Sequence, residues 1–409
     1  MLTPYFNHWN TDAYARTTPF DEFPWQVPAG STSGAAVAIT AQTFIGLTQT
    51  DPTARLSWDG KNLQVEAEAE AIFTAPTADL PAAWRRFHQR LALPVRSAPW
   101  GRRPEYCTWG EQLARRRSGE LPGEIMSSRL VDELLASIDR LGWPRGRFTV
   151  DEGWAPRHGS GGYGTWTPCE GFDPKAVAAR ITAAGHVPGL WLAPALLCPE
   201  SSAAVVNPAL LGAPVDMPGE TPWNRFHYLR PSPASASLLR NLFSRVWSWG
   251  FRKVKLDILY GPRADMLALA RQCREAADTL PGAMELEGHV PDPHVAACFD
   301  VVRINDVLIS ARHPSWRSVV NAHFEICATS APDHLLCLDH IGGNDPDITP
   351  AEFLEHCELM RGQLPRGYPV VGLWPTRLGE AAAETVGALL RESTWDHSTK
   401  SSAPSNQDP

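Results

Sequence analysis

Val187-Pro-Gly-Leu-Trp-Leu-Ala193, then Ser235 to Trp249, then Lys253-Val-Lys-Leu-Asp-Ile258 reads as strand, helix, strand. The two outer pieces are short runs of Val, Leu, Ile and Trp, and the middle piece is amphipathic with the length of a helix. Two strands joined by a helix imply a parallel pair.

The same rhythm runs through most of the chain. Further strands are expected at Glu105–Trp109, Arg147–Asp151, Met284–Glu287, Val301–Asn305, Leu335–Asp339 and Pro369–Trp374. Helices are expected at Ser128–Leu141, Pro174–Ala184, Asp265–Thr279, Ser315–Thr329, Pro350–Gln363 and Leu378–Arg391, with a short helical piece at Asp292–Cys298. Eight such β/α units predict an α/β fold, a closed (β/α)8 TIM barrel whose active site lies at the C-terminal ends of the strands. The alternative, an open doubly wound sheet, wants a Gly-rich phosphate turn after its first strand, and Trp109-Gly-Glu-Gln112 is not one.

Residues 1–95 differ. Ala35–Thr40, Phe44–Leu47, Arg55–Trp58, Leu63–Glu66 and Ala71–Thr74 are short apolar or alternating runs separated by Gly, Pro, Asp and Thr. They predict a small N-terminal β-rich domain, linked by a helix from Pro81 to Leu93 to a barrel spanning 96–393. Residues 394–409, rich in Ser, Pro, Asn and Asp, are expected to be disordered.

The net charge of −8 argues against nucleic acid or an anionic membrane as partner. The 16 Trp suit both a large core and the stacking of apolar sugar faces. Eight Cys form no Cys-x-x-Cys pair, the start carries no basic and apolar leader pattern, and no run reaches the length of a membrane span. The expectation is a cytoplasmic protein with free thiols. No cluster has the spacing of a known metal motif, so neither metal nor cofactor is expected.

If the barrel is right, functional residues should gather at strand ends. The strands end in Cys107-Thr-Trp-Gly-Glu111, Asp151-Glu-Gly-Trp154, Trp191-Leu-Ala-Pro194, Lys255-Leu-Asp257, Glu285-Leu-Glu-Gly-His289, Arg303-Ile-Asn-Asp306, Asp339-His340 and Trp374. A cofactor-free reaction needing two carboxylates fits this set, and glycoside hydrolysis is such a reaction. Lys255 and Asp257 are two apart on a strand, so they share a face, and a cation there would favour an ionised Asp257. Arg303 and Asp306 share a face only if the strand ends or bulges between them.

Asp151-Glu-Gly-Trp154 resembles the Asp-Asp-Gly-Trp signature of the clan D α-glycosidases, which include α-galactosidases, α-glucosidase-like enzymes and raffinose synthases. Gly164-Thr-Trp166 with Gly171-Phe-Asp-Pro174, Gly189-Leu-Trp-Leu-Ala-Pro194, Val254-Lys-Leu-Asp257, Leu286-Glu-Gly-His289 and Val302-Arg-Ile-Asn-Asp306 are similar to further motifs of that clan, in the same order. The resemblance covers roughly residues 128 to 325 and implies a retaining α-glycosidase with Asp257 as nucleophile and Asp306 as acid/base. It also implies that Asp151 and Glu152 hold O4 and O6 of the sugar, Lys255 reaches O3 or O4, Glu287, His289 and Arg303 lie near O2, and Trp154 and Trp191 form an apolar wall. The implied partner is an α-linked oligosaccharide or glycoside.

Glu152 stands where the clan has a second Asp, and His289 where it usually has Cys. These departures bear on the sugar more than on the reaction. A transglycosylase or α-glucosidase-like enzyme of the same clan and a non-catalytic sugar-binding barrel are the rival readings. Trp154 and Trp191 could instead fill core, Glu111 could be a loop charge, Glu285 and Asp339 could form buried salt bridges, and His340 reads as turn chemistry.

Overall fold

The computed structural model describes residues 5–6, 30–33, 37–39, 42–48, 54–59, 62–116, 120–215, 222–259, 263–288, 293–304, 317, 320–321, 324, 327–328, 331–341, 347–372 and 379–394. In chain order the strands are β1 (Tyr5–Phe6), β2 (Gly30–Ser33), β3 (Val37–Ile39), β4 (Thr43–Leu47), β5 (Arg55–Trp58), β6 (Leu63–Glu66), β7 (Ile72–Pro76), β8 (Glu105–Cys107), β9 (Arg147–Val150), β10 (Val187–Leu192), β11 (Leu196–Leu197), β12 (Leu211–Pro214), β13 (His227–Leu229), β14 (Lys253–Leu256), β15 (Glu285–Gly288), β16 (Val301–Arg303), β17 (Leu335–His340) and β18 (Gly367–Val371). Eight of them close a barrel in the order β10-β14-β15-β16-β17-β18-β8-β9, and every pair in it is parallel. The expected fold class holds.

The described helices are α1 (Leu80–Leu91), α2 (Trp109–Arg115), α3 (Ser128–Arg140), α4 (Pro174–Ala183), α5 (Ser202–Val206), α6 (Pro233–Ser248), α7 (Arg263–Asp278), α8 (Pro293–Ala296), α9 (Pro350–Arg361) and α10 (Glu380–Ser393). Their starts follow from local chemistry. Ser127, Asp173, Ser232 and Thr349 each accept an N–H of the first turn, which satisfies a donor the helix leaves orphaned. Pro opens α4, α6 and α9, where its missing N–H costs nothing. No described helix is long and apolar enough to cross a membrane.

Alternation along the barrel strands sorts the residues. Val254 and Leu256 of β14 lie in the large apolar shell between strands and helices, with Phe148, Val150, Leu190, Leu192, Leu286 and Val302 from their neighbours. Lys253 and Lys255 occupy the other face. Among the described residues the interior carries a small apolar cluster of Cys107, Val301, Cys337, Tyr368 and Val370, beside Thr149 and buried charged residues such as Glu105, Lys253, Lys255 and Glu287.

The N-terminal region folds as two antiparallel sheets, β1-β3-β4-β7 and β2-β5-β6. Trp84 and Phe87 of α1 pack on Val37, Phe44 and Ala75 of the first sheet, with Phe44 edge-on to both rings.

Three differences from the sequence reading stand out. The chain turns into α2 at Trp109, so the first strand stops at Cys107. The eighth strand starts at Gly367 and ends at Val371, earlier than expected, and Trp374 lies outside the described residues. A three-stranded sheet, β11-β13-β12, is inserted after β10; its strands are only two to four residues long, too short for periodicity to register. Most of the expected helix at Ser315–Thr329, and the tail beyond Thr394, are also outside the described residues.

Candidate active site

Parallel register stacks the inward side chains in tiers. At the N-terminal end, Arg147 and Glu285 begin β9 and β15 and pair at 2.5 Å and 2.8 Å, both side chains fully buried. Arg147 also donates to the carbonyls of Arg103 and Gly101 and stacks on the Tyr368 ring at 4.2 Å.

One tier up, Lys253 lies between Glu105 and Glu287, 2.7 Å from Glu287. Gly189, opposite Lys253 in register, makes room here: a Cβ on it would lie 2.5 Å from Thr149 Oγ1, itself bonded to Glu105. Burial alone would raise the Glu287 carboxyl, but Lys253, then Arg303 and Lys255, outweigh it and hold it at about 2. Burial and the facing Glu287 push Glu105 up, against the pull of Lys253. Burial would lower Lys253; Glu105 and Glu287 instead push it up to about 12. Two carboxylates thus share one ammonium, and the proton affinity falls on Glu105.

The uppermost tier carries the candidate chemistry. Lys255 donates to Asp151 Oδ2 at 2.8 Å, and the Cys107 thiol donates to the same oxygen at 3.1 Å. Burial would lower Lys255, but Asp151 first, then Cys107 and Asp257, keep it well above the usual lysine value. Asp257 follows directly on β14. Its Oδ1 accepts from Arg303 Nη2 at 3.0 Å and from the Ile258 N–H at 2.9 Å, and its Oδ2 accepts the Trp191 indole N–H at 2.9 Å. Ile258 has φ 52°, a left-handed conformation that a β-branched residue adopts only under strain of roughly 1–3 kcal/mol. That bend lies just past Asp257, beyond the end of β14 at Leu256. The Asp257 side chain is 13% exposed, whereas its partner Arg303 is 1% exposed.

Several expected sugar contacts are placed differently. Trp154 is fully buried: Gly153, at φ 107° with its Cα against the Gly123 backbone, turns the chain so that Trp154 stacks on Trp166 and donates to the Trp191 carbonyl. It is core, not cleft wall. Glu287 bonds Lys253 and Tyr368 and is 1% exposed. Arg303 turns its guanidinium to Asp257, with Glu287 and Asp339 each at 3.6 Å. Glu152 is clamped by Arg157, which donates from Nε and Nη2 to its two oxygens, and by the Tyr163 hydroxyl at 2.6 Å. Asp151, Lys255, Asp257 and Trp191 do meet at one place. His289 and Asp306 lie outside the described residues.

Glu285 proves a buried salt-bridge residue, and Asp339 pairs with His340 at 3.0 Å. Burial would raise Asp339; His340 and then Arg303 outweigh it and hold it far below the carboxylate range. His340 belongs to β17 and is buried, so it is not turn chemistry. Glu111 is buried on α2 and binds Arg115 at 2.7 Å, which removes it from the loop charges. Sequence reasoning missed Cys107, Arg157 and Tyr163 as holders of Asp151 and Glu152. Cys107 had a signal, since it ends a strand in step with the inward faces of its neighbours.

A groove of about 770 Å³ lies at the other end of the barrel, lined by residues such as Lys175, His186, Trp249 and Arg252. Its lining holds no carboxylate.

No protein-family model matches the chain, and no curated protein matches it. Solved structures do. An α-galactosidase from Thermus thermophilus in complex with p-nitrophenyl α-D-galactopyranoside superposes with a TM-score of 0.62 at 18% identity, covering 90% of this chain and 78% of that one. A dextranase from Flavobacterium johnsoniae complexed with glucose gives 0.66 at 12% identity, over 95% of this chain and 50% of that one. An α-galactosidase from Geobacillus stearothermophilus in complex with 1-deoxygalactonojirimycin gives 0.58 at 12%, over 96% and 57%. The chain shares the fold of these glycosidases.

Proposed function

We propose that the protein is a retaining α-glycosidase, α-galactosidase-like, that removes a terminal α-linked sugar without a cofactor. The observation that carries this reading is Asp257: a carboxylate at the C-terminal end of a barrel strand, oriented by Arg303, Trp191 and a backbone N–H, and the most exposed acid of its tier. Barrel enzymes keep catalytic groups at that position, and the structures sharing this fold include glycosidases bound to α-galactosides.

In the first step an Asp257 oxygen attacks the anomeric carbon, and the bond to the leaving oxygen breaks as Asp306 protonates it. In the second, Asp306 takes a proton from water, the water oxygen attacks the same carbon, and Asp257 departs as carboxylate. Double displacement requires the two carboxyl groups about 5–5.5 Å apart. Asp151 and Lys255 are assigned to sugar hydroxyls, as a charge pair that exchanges one partner for a hydroxyl, and Trp191 to the wall beside Asp257. His289 is assigned to the loop beside O2.

Hydrolysis of a panel of nitrophenyl α-glycosides (galactose, glucose, N-acetylgalactosamine, xylose, arabinopyranose), with Asp257→Ala as control, tests this. Turnover of one sugar that disappears in the variant is expected. Silence of the folded protein across the panel would sink the reading.

A further inference from the structure

Outside the carboxylate tier, His158, Cys198 and Glu200 bring an imidazole nitrogen, a thiol sulfur and a carboxylate oxygen within 4.8 Å of one another. The residues come from two segments: the Gly-rich loop after β9, His158-Gly-Ser-Gly-Gly-Tyr-Gly164, and the turn after β11, Leu197-Cys-Pro-Glu200. We propose that they form a zinc site that ties these two segments together. This rests on the donor set and the geometry, and is independent of the glycosidase reading.

The geometry is close to what tetrahedral zinc needs. Bonds of about 2.3 Å to sulfur and 2.0 Å to oxygen, opened at the tetrahedral angle, separate the two ligand atoms by about 3.5 Å. Cys198 Sγ and Glu200 Oε2 are 3.5 Å apart. The imidazole nitrogen lies within 4.8 Å of both, and water would supply the fourth ligand. The frame is already built by backbone bonds between the segments, Cys198 N–H to the Tyr163 carbonyl at 2.9 Å and Ser202 N–H to the Ser160 carbonyl at 2.8 Å. The His158 ring is held by stacking on Phe226 at 4.8 Å.

Thiolate, imidazole and carboxylate together favour zinc over the hard cations magnesium and calcium, which select oxygen ligands. Zinc takes a histidine through a ring-nitrogen lone pair of the neutral imidazole. Binding breaks the Cys198 S–H bond, releases the proton to solvent and forms the metal–sulfur bond. The other such group, Glu105, Glu287 and Cys337, differs: the Lys253 ammonium already bridges its two carboxylates. A metal at His158 would also brace Tyr163, which stacks on Phe226 at 5.2 Å and bonds Glu152.

The test is titration of the chelator-stripped full chain with cobalt(II), followed by zinc. One equivalent of cobalt is expected to produce a thiolate-to-cobalt charge-transfer band that zinc abolishes. Cys198→Ser should eliminate the band, and Glu200→Gln should weaken cobalt binding by at least about tenfold. Zinc should raise the thermal midpoint of the native chain and leave that of Cys198→Ser unmoved. Absence of the band in folded protein, a band that survives Cys198→Ser, or equal midpoint shifts in both proteins would overturn the proposal.

Discussion

Two guanidinium–carboxylate pairs stand in one barrel, Arg147–Glu285 at the N-terminal ends of the strands and Arg303–Asp257 at the C-terminal ends. Their chemistry is the same and their surroundings are not. Arg147 is sealed, with Glu285, two backbone carbonyls and an aromatic ring around it, and neither partner meets solvent. In the upper pair the arginine is sealed and the carboxylate is partly open. A closed pair with saturated donors can only hold strands together. An acid held from beneath and open above can meet a ligand. Solvent access on one side, rather than the presence of the pair, separates structure from function.

The largest expected effect lies on the open side. Asp257→Ala should lower turnover on the order of 10⁴-fold or more, as loss of a nucleophile does, while the unfolding midpoint in urea falls less than for the sealed pair, because Glu287 and Asp339 stay 3.6 Å from Arg303. A variant that unfolds instead would erase the distinction between the two pairs. On the sealed side, Glu285→Gln leaves Arg147 as an uncompensated buried charge and should cost about 3–5 kcal/mol of stability. Urea titration measures it, and kcat of the protein that remains folded should be unchanged. If that variant is as stable as the parent but slow, the lower tier takes part in catalysis.

Trp191→Phe sharpens the comparison, since it removes the indole N–H that orients Asp257 Oδ2, together with the five-membered half of the ring. Turnover should fall on the order of tenfold, matching about 1.4 kcal/mol for one hydrogen bond to a charged group. An unaltered kcat would mean that Arg303 and the Ile258 N–H suffice to hold the carboxylate.

The smallest effect concerns acid. Burial holds His186, His334 and His356 at about 4. A depressed folded value means the unfolded chain binds the proton first, so stability is present above the ordinary histidine value and is lost as pH falls from there to about 4. Glu287, held at about 2, extends the loss below the ordinary glutamate range. His186→Phe should make the slope between pH 6.5 and 4 shallower by up to one proton, read from urea midpoints across pH. A slope that stays the same would show that His186 is protonated without penalty.

Much of this was legible in the chain. Strand–helix rhythm predicts the barrel, because a strand buried on both faces reads as a short apolar run and a covering helix as an amphipathic one. Period-two spacing puts Lys255 and Asp257 on one face, and both do approach the same tier. Trp154 was misplaced because its direction depends on the turn at Gly153, a backbone conformation that spacing along the strand does not report. A charged residue at a strand end, such as Glu287 or Arg303, looks alike in sequence whether a neighbouring strand or a sugar neutralises it. Glu152 is claimed by Arg157 and Tyr163, from a loop whose path no periodicity describes.

By itself, then, the sequence determined which residues face inward and in what order the strands come, since both follow from short-range sterics and apolar spacing. Tertiary structure alone decided which partner each inward charge finds and which of them keeps contact with water. Those outcomes depend on the register between strands far apart in the chain, and a buried ion takes whatever counter-charge closure of the barrel brings within reach.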